Sequence, residues 1–125
     1  PNNTMQVRVP TEWEWQWVAQ NGKDKCNYPW GDWQEGYSNT SEAGLSRSIS
    51  VGMYLHGATG CGVLDMSGNL YEWCANNYHK PDIIDVKNTR SKVLRGGSFL
   101  LLQSFEFFNF SLFGVTRWCH RHIDD

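Results

Sequence analysis

Two carboxylates in the middle of the chain have the types and the spacing of a site for a hard cation. Asp65 and Glu72 flank a turn formed by Gly68 and Asn69, and apolar residues surround them. Two carboxylates that face each other in a partly buried loop repel one another unless a positive charge lies between them. Calcium is the expected ion, because it accepts carboxylate and backbone oxygens together in irregular loops. The alternative is that Asp65 caps the turn and Glu72 pairs with an arginine such as Arg95.

The end of the chain holds a second group of metal-ligating residue types. His120 and His122 would lie on one side of a strand, directly after Cys119. Two histidines without a third fixed ligand are a weak metal signal. The alternative is that both histidines belong to the same surface as Trp118. No two of the four cysteines have CxxC spacing, so neither a zinc site nor a redox pair is indicated.

An aromatic segment lies between these two regions. All six phenylalanines occur between residues 99 and 113, whereas Trp and Tyr supply the aromatic residues of the first 98 positions. In a strand, alternation places Phe105 and Phe107 opposite Phe108 and Phe110. One set can enter a core, and the other is exposed unless something covers it. An exposed aromatic patch on a rigid scaffold marks an interaction site. The alternatives are two buried core strands and a contact with a second copy of the chain.

A short helix near the start of the chain is expected to help position these residues. Thr11 and Glu14 have the spacing of a capping box, which predicts a helix that begins there. The predicted buried stripe of this helix comprises Trp13, Trp17 and Val18. Trp15 lies off that stripe. We therefore expect the helix to pack on a sheet through Trp13 and Trp17.

Length and composition restrict the remaining choices. The 125 residues suffice for one domain with a core, and the net charge of −2 provides no basic surface for nucleic acid. The longest apolar run, residues 99–102, is far shorter than the roughly 20 residues of a membrane span. Alternating apolar residues predict short strands at 7–9 and 48–54. The 12 glycines predict a loop-rich protein. Nothing in the sequence indicates a cellular location.

Five motifs occur in an order and at spacings that resemble those of one known family. They are Arg-Val-Pro-Thr-Glu (residues 8–12), Tyr-Pro-Trp-Gly-Asp (28–32), Asn-Thr-Ser-Glu (39–42), Gly-Val-Leu-Asp-Met-Ser-Gly-Asn-Leu-Tyr-Glu-Trp (62–73) and Val-Leu-Arg-Gly-Gly-Ser-Phe (93–99). Together they are similar to the formylglycine-generating enzyme (sulfatase-modifying factor) family. The resemblance implies an α+β, C-type-lectin-like fold, with a twisted antiparallel sheet, few helices and long ordered loops. Residues 1–125 would form a single domain of this type, which we expect to extend further at one or both ends.

The resemblance also implies a ligand set for calcium. One of the family's calcium sites maps onto the side chains of Asp65 and Glu72 and the backbone oxygens of Gly68 and Leu70. Such an ion would hold loops together, since no nucleophile that needs an activated water lies near it in the sequence. We therefore expect structural Ca²⁺ and no catalytic cofactor.

The two cysteines that the family uses for catalysis are absent from the matching positions of this sequence. Formylglycine generation uses two cysteines spaced C-x4-C after the Gly-Gly-Ser turn, whose soft sulfur atoms hold copper. The corresponding positions are Leu101 and Glu106, and no cysteine occurs between Cys74 and Cys119. Leucine cannot bind a metal. The sequence therefore predicts a protein that is not an enzyme, and a formylglycine-generating-type oxidase with an altered site is the alternative.

A narrower resemblance is to the variable proteins of diversity-generating retroelements. In those systems a reverse transcriptase rewrites adenines in the repeat that encodes the ligand-binding face of a lectin fold, after the Gly-Gly-Ser turn. From residue 99 to 125, only Gln103, Glu106 and Trp118 lie outside the residue types that codons ending in a pyrimidine can encode. This composition favours a variable segment at 99–125.

These observations predict a non-enzymatic binding module with a diversified surface. Its partner would be a protein or other macromolecule, and neither nucleic acid nor a membrane span is expected. A third interpretation is a structural subunit whose aromatic face contacts another copy of the chain. The predicted ligand-binding residues are Leu101, Gln103, Phe105, Phe107, Phe108, Phe110, Phe113, Trp118, His120 and His122.

Overall fold

The computed structural model describes residues 4–85, 87 and 91–102. Helix α1 spans Glu12–Ala19, strand β1 spans Glu72–Asn77, and strand β2 spans Lys92–Arg95. Single turns of 3₁₀-helix lie at Gly22–Asp24, Ser41–Ala43 and Leu55–Gly57. The rest of the described chain is loop and turn, as the glycine content predicted.

The two strands form an antiparallel pair beneath helix α1. Glu72 lies opposite Arg95 and Trp73 lies opposite Leu94, and an irregularity follows between Trp73 and Asn77. The helix contacts both strands. In the described residues the predicted strands at 7–9 and 48–54 do not form. In the second segment, the Ile49 and Gly52 amides donate to the side chains of Asn69 and Asp65 instead of to a neighbouring strand.

The beginning of helix α1 confirms the predicted capping box. The Thr11 hydroxyl accepts a hydrogen bond from the Glu14 amide at 3.2 Å, and the Glu14 carboxylate accepts one from the Thr11 amide at 2.8 Å. Arg8 extends this arrangement, since its guanidinium makes a two-pronged contact with Glu14 at 2.7 and 2.8 Å. The start of the helix is therefore set by side chains within seven residues of one another.

The buried face of helix α1 differs from the prediction. Trp15 is buried, whereas Trp13 is 41% exposed and Trp17 is 55% exposed. The face that packs on the strands comprises Glu12, Trp15 and Ala19. The stripe prediction was wrong for Trp13 and Trp17, whereas Val18 does pack against the core. A polar residue, Glu12, belongs to the buried face, and a count of apolar positions alone assigns it to solvent.

The core is small and rich in aromatic rings. It comprises Trp15, Ala19, Tyr28, Met66, Cys74 and Val93, with Val18, Trp30 and Trp33 packed against it. Tyr28 stacks on Trp30 with ring centroids 5.4 Å apart and meets Trp33 at 5.2 Å. Burial raises the pKa of the Cys74 thiol to about 12. This core adjoins both predicted metal ligands, since Met66 follows Asp65 in sequence and Trp15 donates a hydrogen bond to Glu72.

Candidate functional site

Asp65 begins the loop in which a cation site was predicted. Its backbone is left-handed, with φ +58°, and its carboxylate accepts a hydrogen bond from the Gly52 amide at 2.5 Å. This bond ties the loop at residues 51–53 to the 65–70 turn. Aspartate tolerates left-handed backbone better than most residues because its short polar side chain can bond nearby backbone groups.

Glu72 lies at the first position of β1, and its pKa is affected by the charge of Asp65. Its carboxylate accepts a hydrogen bond from the indole N–H of Trp15 at 2.6 Å. Burial raises the pKa of Glu72, the Trp15 bond opposes this shift, and the negative charge of Asp65 raises the pKa further. The negative charge of Asp65 thus acts on Glu72, and a cation bound near both carboxylates would oppose that effect.

The predicted alternative, an ion pair between Glu72 and Arg95, does not form. Arg95 instead pairs with Glu12 at 3.2 Å, and both side chains are buried. Its guanidinium also donates to Gln16 and lies over the Trp15 ring, 4.7 Å from the centroid. Arg95 is thus part of a buried structural pair, and the predicted partner, Glu72, was wrong. Glu12, Trp15 and Gln16 have the i, i+3, i+4 spacing of one helix face, which is the signal that could have identified Glu12.

Asn69 locks the turn between the two carboxylates. Its side-chain oxygen accepts from the Ile49 amide at 2.9 Å and from Asn39 Nδ2 at 3.1 Å. Its side-chain nitrogen donates to the Ile49 carbonyl at 3.2 Å. Gly68 alongside it donates to the Gly96 carbonyl at 2.7 Å. Four separate segments therefore meet at this turn.

The donor chemistry of this turn suits a hard cation. Carboxylates and backbone carbonyls are the oxygen ligands that calcium prefers, and no sulfur or imidazole belongs to the predicted set. Within the part of the chain that the structure describes, no three His, Cys, Asp or Glu side chains form a metal-binding group. An ion at Asp65 and Glu72 would consequently depend on further oxygens, such as the backbone oxygens of Gly68 and Leu70 that the family resemblance implies.

The segment that follows β2 is fixed to the same turn by main-chain atoms. The Phe99 amide donates to the Asn69 carbonyl at 3.0 Å, and the Ser41 amide donates to the Leu101 carbonyl at 2.9 Å. The Leu101 amide donates to the Ser98 carbonyl at 3.1 Å. Leu100 is 67% exposed between these anchors.

One predicted ligand-binding residue lies within the described part of the chain. Leu101 is half-buried at the anchored end of the segment. The other predicted ligand-binding residues lie outside the described residues, and so does the predicted metal alternative at Cys119. They are Gln103, Phe105, Phe107, Phe108, Phe110, Phe113, Trp118, His120 and His122.

Comparison with known proteins gives a family match over most of the chain. Residues 2–120 match the model of the sulfatase-modifying factor enzyme 1-like domain. The formylglycine-generating enzyme of Thermomonospora curvata is 30% identical over 123 residues, covering 78% of this chain and 40% of the relative. The inactive C-alpha-formylglycine-generating enzyme 2 of Bos taurus is 29% identical over 103 residues, covering 74% of this chain and 32% of the relative. Active and inactive proteins thus both occur among the relatives, and this chain spans about two fifths or less of their length.

A solved structure with a similar fold is variable protein 1 of Treponema denticola. It superimposes with a TM-score of 0.58 at 26% identity, covering 76% of this chain and 37% of that protein. The predicted fold class, a C-type-lectin-like variant with few helices and a small antiparallel sheet, is confirmed. In the described residues, no helix is both long and apolar enough to cross a bilayer.

Proposed function

This chain belongs to the sulfatase-modifying factor enzyme 1-like domain family, and from that premise we propose that it is a non-enzymatic binding module with a diversified ligand surface. The observation that carries the proposal is the likeness to a variable protein in both fold and sequence. The surface would comprise the predicted residues from Leu101 to His122, held on the scaffold of residues 4–102.

The anchoring of the segment after β2 supports this proposal. Phe99 and Leu101 are held by main-chain hydrogen bonds to Asn69 and Ser41. Such bonds do not depend on side-chain identity, so residues in this segment can change while the backbone path is kept. A surface that is rewritten in sequence needs this property.

The residue types at the family's copper positions support the same conclusion. Leu101 and Glu106 stand where the resemblance places the two cysteines. Without thiolates, neither soft-metal binding nor thiol oxidation has a ligand at these positions. The names of the curated relatives favour the alternative, an oxidase with an altered site.

The proposal has a genetic test and a biochemical test. Flanking DNA should contain a near-copy of the repeat encoding residues 99–125 that differs at adenines and lies beside a reverse transcriptase gene. Absence of such a repeat in the complete locus would remove the diversification claim. Copper binding together with oxygen-dependent turnover of a cysteine peptide would establish the oxidase instead.

We also propose that Asp65 and Glu72 hold a structural calcium ion together with backbone oxygens of the turn. The raising effect of the Asp65 charge on the pKa of Glu72 supports this, because a bound cation would offset it. Adding calcium to protein that was first treated with a chelator should raise its melting temperature. The Asp65→Asn variant should not show this rise. Equal melting temperatures with calcium and with chelator would contradict the proposal.

A further inference from the structure

An open groove lies between the end of helix α1 and the loop at residues 59–61. The helix end and its following turn, residues 17–24, form one wall, and Gly60 and Cys61 form the other. Among the described residues, those that line the groove all lie outside the segment 99–125. A ligand bound here would therefore contact residues that are separate in sequence from the proposed variable surface.

Asn21 holds the two walls of the groove together. Its backbone is left-handed, with φ +56°, so the chain turns sharply just after the helix. Its side-chain oxygen accepts from the Gly60 amide at 2.7 Å, and its side-chain nitrogen donates to the Pro29 carbonyl at 2.7 Å. Because one side chain fixes both sides, the groove is preformed.

The Trp17 side chain lines this groove. Its side chain is 55% exposed, although it lies on a helix whose opposite face is buried. The side of the indole that carries Nε1, Cε2 and Cζ2 lies against Gly22, where an added Cβ would come within 3.1 Å of Cζ2. The ring is thus supported at one edge while much of it remains accessible. The face of an indole attracts cations through its quadrupole.

The charges around the groove also favour a cation. Its position at the carboxyl end of α1 gives it the negative end of the helix dipole, and the last helical turn contains no basic residue. Asp24 lines the groove, and within the described part of the chain its carboxylate has no ion-pair partner. Lys23 and Lys25 flank Asp24 in sequence, but neither lines the groove. An anionic ligand would meet unfavourable charge at the helix end and at Asp24.

We propose that this groove binds the guanidinium group of an arginine side chain on a partner protein. The planar guanidinium can stack on the Trp17 indole while its N–H groups donate to the Asp24 carboxylate. An ammonium group is a compact, strongly hydrated charge and cannot stack in this way. Arginine is also enriched at protein interfaces, where stacked and charge-paired contacts coincide.

The first test uses blocked amino acids as probes. N-acetylarginine methylamide should shift the amide NMR signals of Gly60 and Cys61 and the indole signal of Trp17, with a Kd on the order of 1 mM. The citrulline derivative has nearly the same shape without the charge and should bind about tenfold more weakly. Equal binding of the citrulline or lysine derivative, or shifts spread over other surfaces, would overturn the assignment.

Matched variants separate the groove from general charge. Asp24→Asn should weaken binding of the arginine probe about tenfold, and Trp17→Leu by a similar factor. Asp32→Asn removes one negative charge from an exposed acid outside the groove and should leave the affinity unchanged. The dispersion of the NMR spectrum reports that each variant is folded. Folded Asp24→Asn or Trp17→Leu protein that binds as the wild type does would refute the proposal.

Discussion

Two regions of the molecule differ in which side chains they bury. The junction between helix α1 and the strand pair buries charged side chains, whereas the loop at residues 45–55 exposes apolar ones. At the junction, Glu12 and Arg95 are buried together. In the loop, Val51 is 82% exposed and Met53 is 67% exposed. Burial at the junction thus follows hydrogen-bond and charge partners more closely than it follows hydropathy.

The physical reason lies in what surrounds each group. A buried charge is tolerated when a partner and additional hydrogen bonds replace the water it has lost. Arg95 has a carboxylate, an amide oxygen and an aromatic face around it. Apolar side chains in the loop are held at the surface because backbone bonds at Ile49 and Gly52 fix the path of the chain. The comparison predicts that single changes at the junction are costly and that changes in the loop are not.

The largest effect is expected for Arg95→Ala. This change leaves the Glu12 carboxylate buried without its cation, which should lower the free energy of unfolding by about 3–5 kcal/mol. Urea unfolding at neutral pH measures the loss. The double variant Glu12→Gln with Arg95→Met removes both charges and should recover a large part of the stability. If Arg95→Ala lowered the free energy of unfolding by no more than an exposed substitution in the loop does, the contrast between the junction and the loop would be wrong.

Gly68→Ala should have the next largest effect. The new Cβ would lie 2.5 Å from the Asn39 carbonyl oxygen, and the backbone has φ +76°. Backbone strain and the clash together should cost roughly 2–4 kcal/mol. Gly36→Ala is the matched control, because φ is +81° there and nothing lies within 4 Å of the added Cβ. It should lose only the backbone contribution, about 1 kcal/mol. Equal losses would show that the close approach at Gly68 is unimportant.

The Arg8–Glu14 pair should give a smaller effect that depends on pH. The pKa of Glu14 is lowered from 4.5 to about 2. The largest cause is the hydrogen bond that Arg8 donates to the carboxylate, and the next is the hydrogen bond from the Thr11 amide. A lowered folded-state pKa stabilises the protein above the unfolded value and ceases to do so as the pH falls through the folded value. The melting-temperature difference between wild type and Glu14→Gln should therefore be full at pH 7 and shrink from about pH 4.5 to about pH 2. A constant difference over this range would contradict the role of the carboxylate charge.

The smallest effect is expected in the loop. Val51→Ser and Met53→Ser remove exposed apolar side chains and should change stability by less than about 0.5 kcal/mol. The same urea experiment measures this. Losses above 1.5 kcal/mol, on the order of a buried side chain, would show that these residues are covered in solution and would remove the contrast with the junction.

The sequence predicted the features that depend on neighbours in the chain. The capping box was predicted from Thr11 and Glu14, which are three residues apart, and the structure confirms it. The α+β, lectin-like class was predicted from five motifs in order, and the family match and the solved structure confirm it. These signals need no knowledge of tertiary contacts.

Features that depend on distant residues were predicted less well. The Arg95–Glu12 pair joins residues 83 positions apart, and the Trp15–Glu72 bond joins residues 57 positions apart. Local periodicity can place Glu12, Trp15 and Gln16 on one helix face, but it does not identify their distant partners, so the partner of Arg95 was assigned wrongly. The metal ligands and the ligand-binding residues stay predictions.

The main-chain anchors at Phe99 and Leu101 have an evolutionary consequence. Each is made by an amide or a carbonyl that every residue except proline carries in full. Random replacement at these positions would leave the attachment intact in nearly all variants, so a library built here would lose few members to misfolding. Proline is the exception, because at position 99 it would remove the N–H that meets the Asn69 carbonyl, and at position 101 the N–H that meets the Ser98 carbonyl.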